Sequence, residues 1–91
     1  MRCRVTFEDL GRTVEAEVGT TLLALCDANG LPMETACGGF AACNSCRVRV
    51  IDGLLSPLLE VEAPFLDAAG QRLGCQAEVV GDVRLRLEPG A

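Results

Sequence analysis

The chain reads as a small α+β domain in which a mixed sheet is laid over one main helix. Three features of the sequence predict this. Stretches that alternate apolar and polar residues with period two open and close the chain, a capped helical repeat lies between them, and an aperiodic run of small residues at 31–46 interrupts the regular structure. At 91 residues the chain is long enough for one hydrophobic core, so residues 1–91 are expected to form a single domain.

Cys3, Val5 and Phe7 alternate with Arg4 and Thr6, and Val14, Ala16 and Val18 alternate with Thr13, Glu15 and Glu17, the pattern of two half-buried strands. Asp9-Leu10-Gly11 supplies the hairpin turn between them. Thr20 or Thr21 then caps a helix whose apolar Leu22, Leu25 and Cys26 recur at helical spacing; Gly30 ends it and Pro32 prevents its continuation. After the small-residue run, Arg47-Val48-Arg49-Val50-Ile51 resumes strand alternation and Asp52-Gly53 predicts a turn. Ser56-Pro57 reads as an N-cap with a first-turn proline behind it. Proline inside an α-helix costs about 3 kcal/mol, so Pro64 is expected to divide the stretch into two short helical segments, residues 57–62 and 64–69, closed by Gly70. Residues 75–80 and 83–87 predict two last strands joined at Gly81-Asp82. A β-grasp arrangement fits this order of elements best.

Composition narrows the chemistry. The formal net charge is −5, with 8 Lys and Arg against 13 Asp and Glu, which disfavours nucleic acid and anionic membranes and favours a basic partner. There is no His, so a Ser-His-Asp or Cys-His nucleophile, a Rieske centre and a His-ligated zinc are all excluded. The longest apolar run, residues 22–26, is far short of the ~20 residues of a membrane span. The opening Met1-Arg2-Cys3-Arg4 lacks the apolar core of a secretory signal, so a reducing, cytoplasmic location is expected, where 6 Cys point to metal or redox chemistry rather than to disulfides.

Cys37, Cys43 and Cys46 share one loop as C-x5-C-x2-C, and Cys75 comes later on a separate element. Four thiolates that converge suit a two-iron, two-sulfide cluster, with three from a wrapped loop and a fourth from a distant segment. Gly38 and Gly39 let backbone N–H groups approach the sulfurs, and Ala36, Ala41 and Ala42 leave room for the cluster.

With these residues in view, the chain resembles the [2Fe-2S] ferredoxins of the plant and adrenodoxin type. The resemblance rests on the run from Ala36 to Cys46, on Leu55-Ser56-Pro57, and on Arg72-Leu73-Gly74-Cys75-Gln76, and it covers nearly the whole chain. It implies a β-grasp fold with a cluster-binding loop, and a [2Fe-2S] cluster held by Cys37, Cys43, Cys46 and Cys75. Cys37 and Cys43 would hold the outer iron, Cys46 and Cys75 the inner one. It also implies a monomer, not an enzyme in itself, that passes single electrons from a ferredoxin reductase to an acceptor enzyme at a potential of roughly −400 mV. The loop is one residue longer than the plant spacing, the interval from Cys46 to Cys75 is short for an adrenodoxin, and Arg47 stands where many such proteins have His.

Two other readings compete with the carrier. One is a redox-sensing regulatory or protective protein that docks to a larger enzyme. The other is a zinc-stabilised β-grasp module, set lower because all-cysteine zinc sites usually present two C-x2-C pairs and this chain has only Cys43 and Cys46. Cys3 and Cys26 lie on apolar faces and are expected to be small buried hydrophobes. Arg47, Arg49 and Arg72 are expected near the cluster as counter-charges, and Glu60, Glu62 and Asp67 form a candidate acidic docking patch for basic surfaces on the redox partners.

Overall fold

A computed structural model of the chain describes residues 2–31, 33, 46–66 and 70–88. Strands β1 (Arg2–Phe7) and β2 (Arg12–Glu17) form an antiparallel hairpin through residues 8–11, as the alternation predicts. Helix α1 (Leu22–Asn29) comes next, capped by the Thr21 hydroxyl, which accepts from Ala24 N at 3.2 Å, and closed by Gly30 in the left-handed conformation. Strands β3 (Arg47–Leu55), β4 (Gln71–Leu73) and β5 (Val79–Leu87) complete a five-stranded sheet in the order β2-β1-β5-β3-β4, with β1 and β5 parallel and the other pairs antiparallel. This is the mixed, one-helix β-grasp sheet. Leu22, Leu25 and Cys26 of α1 join Val5, Phe7, Val48, Val79 and Leu85 of the sheet in one core, and Cys3 is buried with them. The two cysteines outside the expected ligand set are therefore packing residues.

Several local expectations give way to tertiary pairing. Asp52-Gly53 does not turn the chain: β3 runs through it, paired with β5, and the pair shifts register twice, with the extra residue on β3 at 50/52 and the extra residues on β5 opposite 53/55. Gly53 sits at φ 90°, and a Cβ there would run into the Asp82 carbonyl and lie 2.8 Å from Val83 Cα. Gly81-Asp82 likewise stays inside β5, where Asp82 Oδ1 accepts from Arg4 N at 2.9 Å. Val18 falls beyond the end of β2 and is exposed.

Ser56-Pro57 does not start a helix, because the Ser56 hydroxyl accepts from Glu78 N (2.9 Å) and its own N–H bonds Glu78 O (2.8 Å). Instead of two segments divided at Pro64, one 3-10 helix spans Glu60–Phe65 with Pro64 inside it. The helix is short enough to tolerate the missing donor, and Glu62 N to Leu59 O and Leu66 N to Ala63 O close its ends. Residues 67–69 lie outside the described set. Where the sequence predicts a strand from residue 75, Cys75 and Gln76 form a turn, while the short β4 just before it has no sequence signal of its own.

Candidate metal centre

Two of the four expected ligands are described. Cys46, buried, immediately precedes β3, and Cys75, half-buried, stands two residues after β4. The antiparallel pairing of Arg47 with Leu73 carries the strand ends to one place, and Gly74 N donates to Cys46 O at 2.9 Å. The backbones meet closely there: a Cβ on Gly74 would lie 2.6 Å from Met33 Sδ and 2.9 Å from Cys46 O. Any larger residue there would have to displace Met33 and crowd the Cys46 carbonyl. Cys37 and Cys43, with the loop glycines and alanines around them, lie outside the described residues.

The turn that carries Cys75 is held from three sides. Gly74 bonds Cys46 through its N–H and accepts from Leu23 N at 2.9 Å through its carbonyl, while Ala77 O accepts from Leu22 N at 3.1 Å. The first N–H groups of α1, which have no partner inside the helix, are thus spent on the Cys75 segment. On the third side, the Glu62 carboxylate accepts from Leu73 N at 2.9 Å, from Leu59 N at 3.0 Å, and from Arg72 Nε and Nη2 at 3.0 Å each. Arg72 also donates to the carbonyls of Ser56 and Pro57. Within the turn, Gln76 N and Ala77 N both bond Leu73 O, and Gln76 Nε2 donates to Cys75 Sγ at 3.6 Å.

Glu62 therefore has no place in an acidic docking patch: its side chain is 0% exposed, and its role is to clamp the strand before Cys75. Burial alone would push its carboxyl up, but the Arg72 hydrogen bond, those from Leu59 and Leu73, and the Arg72 charge outweigh it and hold the carboxyl below its ordinary 4.5. Glu60 is exposed, and Asp67 lies outside the described residues. The three arginines have hydrogen-bond or ion-pair partners within the fold. Arg72 pairs with Glu62, Arg49 with Glu88 at 3.0 Å, and Arg47 donates to the carbonyls of Glu88 (2.9 Å) and Phe65 (3.2 Å). Cys26, by contrast, is simply sealed in the core, where burial pushes its thiol up to about 11.

Cys46, buried, and Cys75, half-buried, stand on adjoining backbone and offer soft thiol donors of the kind an iron-sulfur cluster takes, so the residues present fit that group. The family model described as "2Fe-2S iron-sulfur cluster binding domain" matches residues 5–80. The chain belongs to this family. It is 40% identical over 85 residues to a 2Fe-2S ferredoxin of Pseudomonas aeruginosa, an alignment that covers 86% of this chain and 75% of that protein. To a 2Fe-2S ferredoxin of Rickettsia prowazekii it is 34% identical over 100 residues, covering 94% and 89%. Among solved structures, the crystal structure of the ISC-like [2Fe-2S] ferredoxin FdxB from Pseudomonas putida superposes with a TM-score of 0.81 at 32% identity, covering 96% of this chain and 91% of that one.

The chain also matches a subunit of the Na(+)-translocating NADH-quinone reductase of Chlamydia pneumoniae, at 38% identity over 84 residues, but it spans only 19% of that protein's length. The group that this family binds, and that its ferredoxin relatives carry, is a [2Fe-2S] cluster. Among the described residues no helix is long and apolar enough to cross a membrane.

Proposed function

We propose that residues 1–91 form one domain that carries single electrons from a ferredoxin reductase to an acceptor enzyme in the cytoplasm, with Cys37, Cys43, Cys46 and Cys75 as the cluster ligands. The observation that carries this reading is the junction of Cys46 with the Cys75 turn, pinned by Gly74, by the first turn of α1 and by Glu62. The cluster supplies the chemistry by taking up one electron and releasing it. The protein's part is to hold the ligand backbones rigid, so that little rearrangement accompanies the change of charge, and to limit water at the inner sulfurs. The free, buried Cys3 and Cys26 suit a reducing compartment. The formal charge of −5 favours basic docking surfaces on the redox partners.

The test is a coupled assay in which a ferredoxin reductase and its nicotinamide donor reduce a haem-protein acceptor only through the added chain. The expected rate rises with the chain's concentration, saturates, and falls with added salt. A chain that carries a cluster yet supports no transfer above the reductase alone would contradict the carrier role. Serine at each of the four ligand positions should abolish the visible cluster bands, whereas Cys3→Ser and Cys26→Ser should keep them.

A further inference from the structure

The Gln76 side chain lies directly beside an expected ligand. Its Nε2 is 3.6 Å from Cys75 Sγ, a normal N–H···S hydrogen-bond length, and both residues are half-buried. Gln76 is held there by its own backbone, since Gln76 N bonds Leu73 O at 3.0 Å in the turn that Cys46 and Leu23 fix from outside. The sense of the bond is chemically determined. A metal-bound thiolate only accepts, so the amide must turn its N–H₂ and not its oxygen toward the sulfur. We propose that Gln76 is a positioning residue that sets the reduction potential, by donating a side-chain hydrogen bond to the Cys75 thiolate. The proposal rests on Cys75 being a cluster ligand.

Reduction adds one electron, and part of that charge falls on the thiolate sulfurs. A donor aimed at one of them stabilises the reduced state more than the oxidised one and raises the potential. Gln76→Leu removes the donor at similar size. Gln76→Glu keeps the shape and, once ionised, places a negative charge where the donor was. The measurement is a spectroelectrochemical midpoint for the cluster-loaded protein and both variants across pH 6 to 9, with thermal cluster loss recorded alongside.

The leucine variant should be harder to reduce, its reduction equilibrium falling about three- to tenfold, which is about 28 to 59 mV for one electron. The glutamate variant should lie lower still, with a midpoint that drifts with pH as the carboxyl titrates. If leucine impairs cluster assembly, the glutamate variant carries the test by itself. Midpoints indistinguishable from the parent's in the variants that load would overturn the proposal, as would a shift that merely tracks lost thermal stability in both. Failure of the underlying reading looks different: Cys75→Ser would leave the cluster bands and the midpoint unchanged.

Discussion

Replacing Glu62 by alanine should be among the most damaging single changes outside the ligands. Glu62 is fully buried, and its two oxygens satisfy the Leu59 and Leu73 N–H groups and two nitrogens of Arg72, whose side chain is only 11% exposed. Truncation leaves the buried Leu73 N–H without a partner, a cost of about 1–3 kcal/mol. It also strips Arg72 of its counter-ion, and breaking a buried ion pair in this way costs about 3–5 kcal/mol in all. A domain of this size loses about 4–8 °C of Tm per kcal/mol, so the midpoint of thermal unfolding should fall by at least about 12 °C. The assay is circular dichroism with the visible cluster absorbance tracked in the same ramp, for Glu62→Ala, Glu62→Gln and Glu62→Ala/Arg72→Met. The glutamine variant keeps one acceptor and should fall between. The double variant should recover part of the loss, because the stranded cation is gone. A Glu62→Ala protein within about 0.5 kcal/mol of the parent, the ordinary result for a surface substitution, would refute the reasoning.

Gly74→Ala must move Met33 or the Cys46 backbone, a strain of about 1–3 kcal/mol, and cluster loss on heating should come earlier while the sheet's far-ultraviolet signal persists. Thr21→Ala removes the α1 cap and should cost about 1 kcal/mol in a urea titration. Arg49, Gln71 and Arg86 hold the Glu88 carboxyl down to about 2, and Glu62 is lowered too. Depressed folded values mean that this stabilisation is complete above the unfolded value near 4.5 and is lost as pH falls toward 2. Urea midpoints should therefore drop across that window, less steeply in Glu88→Gln. Cys26, with its thiol pushed up to about 11, should resist alkylation at pH 8 until the protein unfolds, which mass spectrometry of the labelled peptide would read.

Short-range pattern was legible in the sequence. The alternation through Val5 and Phe7 located the first hairpin, and Thr21 and Gly30 bounded the helix. Long-range pairing was not. Asp52-Gly53 and Gly81-Asp82 have turn composition, but each lies opposite the other strand of the β3–β5 pair, where the mutual approach of Gly53 and Asp82 makes a bulge more favourable than a turn. Glu62 reads as a solvated charge because its partners come from residues 59, 72 and 73, and no local spacing announces them. Spacing and family resemblance single out four cysteines as a set, of which Cys37 and Cys43 lie outside the described residues, while the backbones of Cys46 and Cys75 adjoin through Gly74.

The most direct test of the proposed cluster chemistry is the visible spectrum of the anaerobically purified protein before and after dithionite, with iron and sulfide assayed on the same sample. The chain has no Trp or Tyr, so the near-ultraviolet is unusually clear for cluster bands. The expected result is broad visible bands that partly bleach on reduction, with about two irons and two sulfides per chain, all lost in Cys75→Ser. A colourless protein after anaerobic cluster reconstitution, or bands that survive in Cys75→Ser, would contradict it.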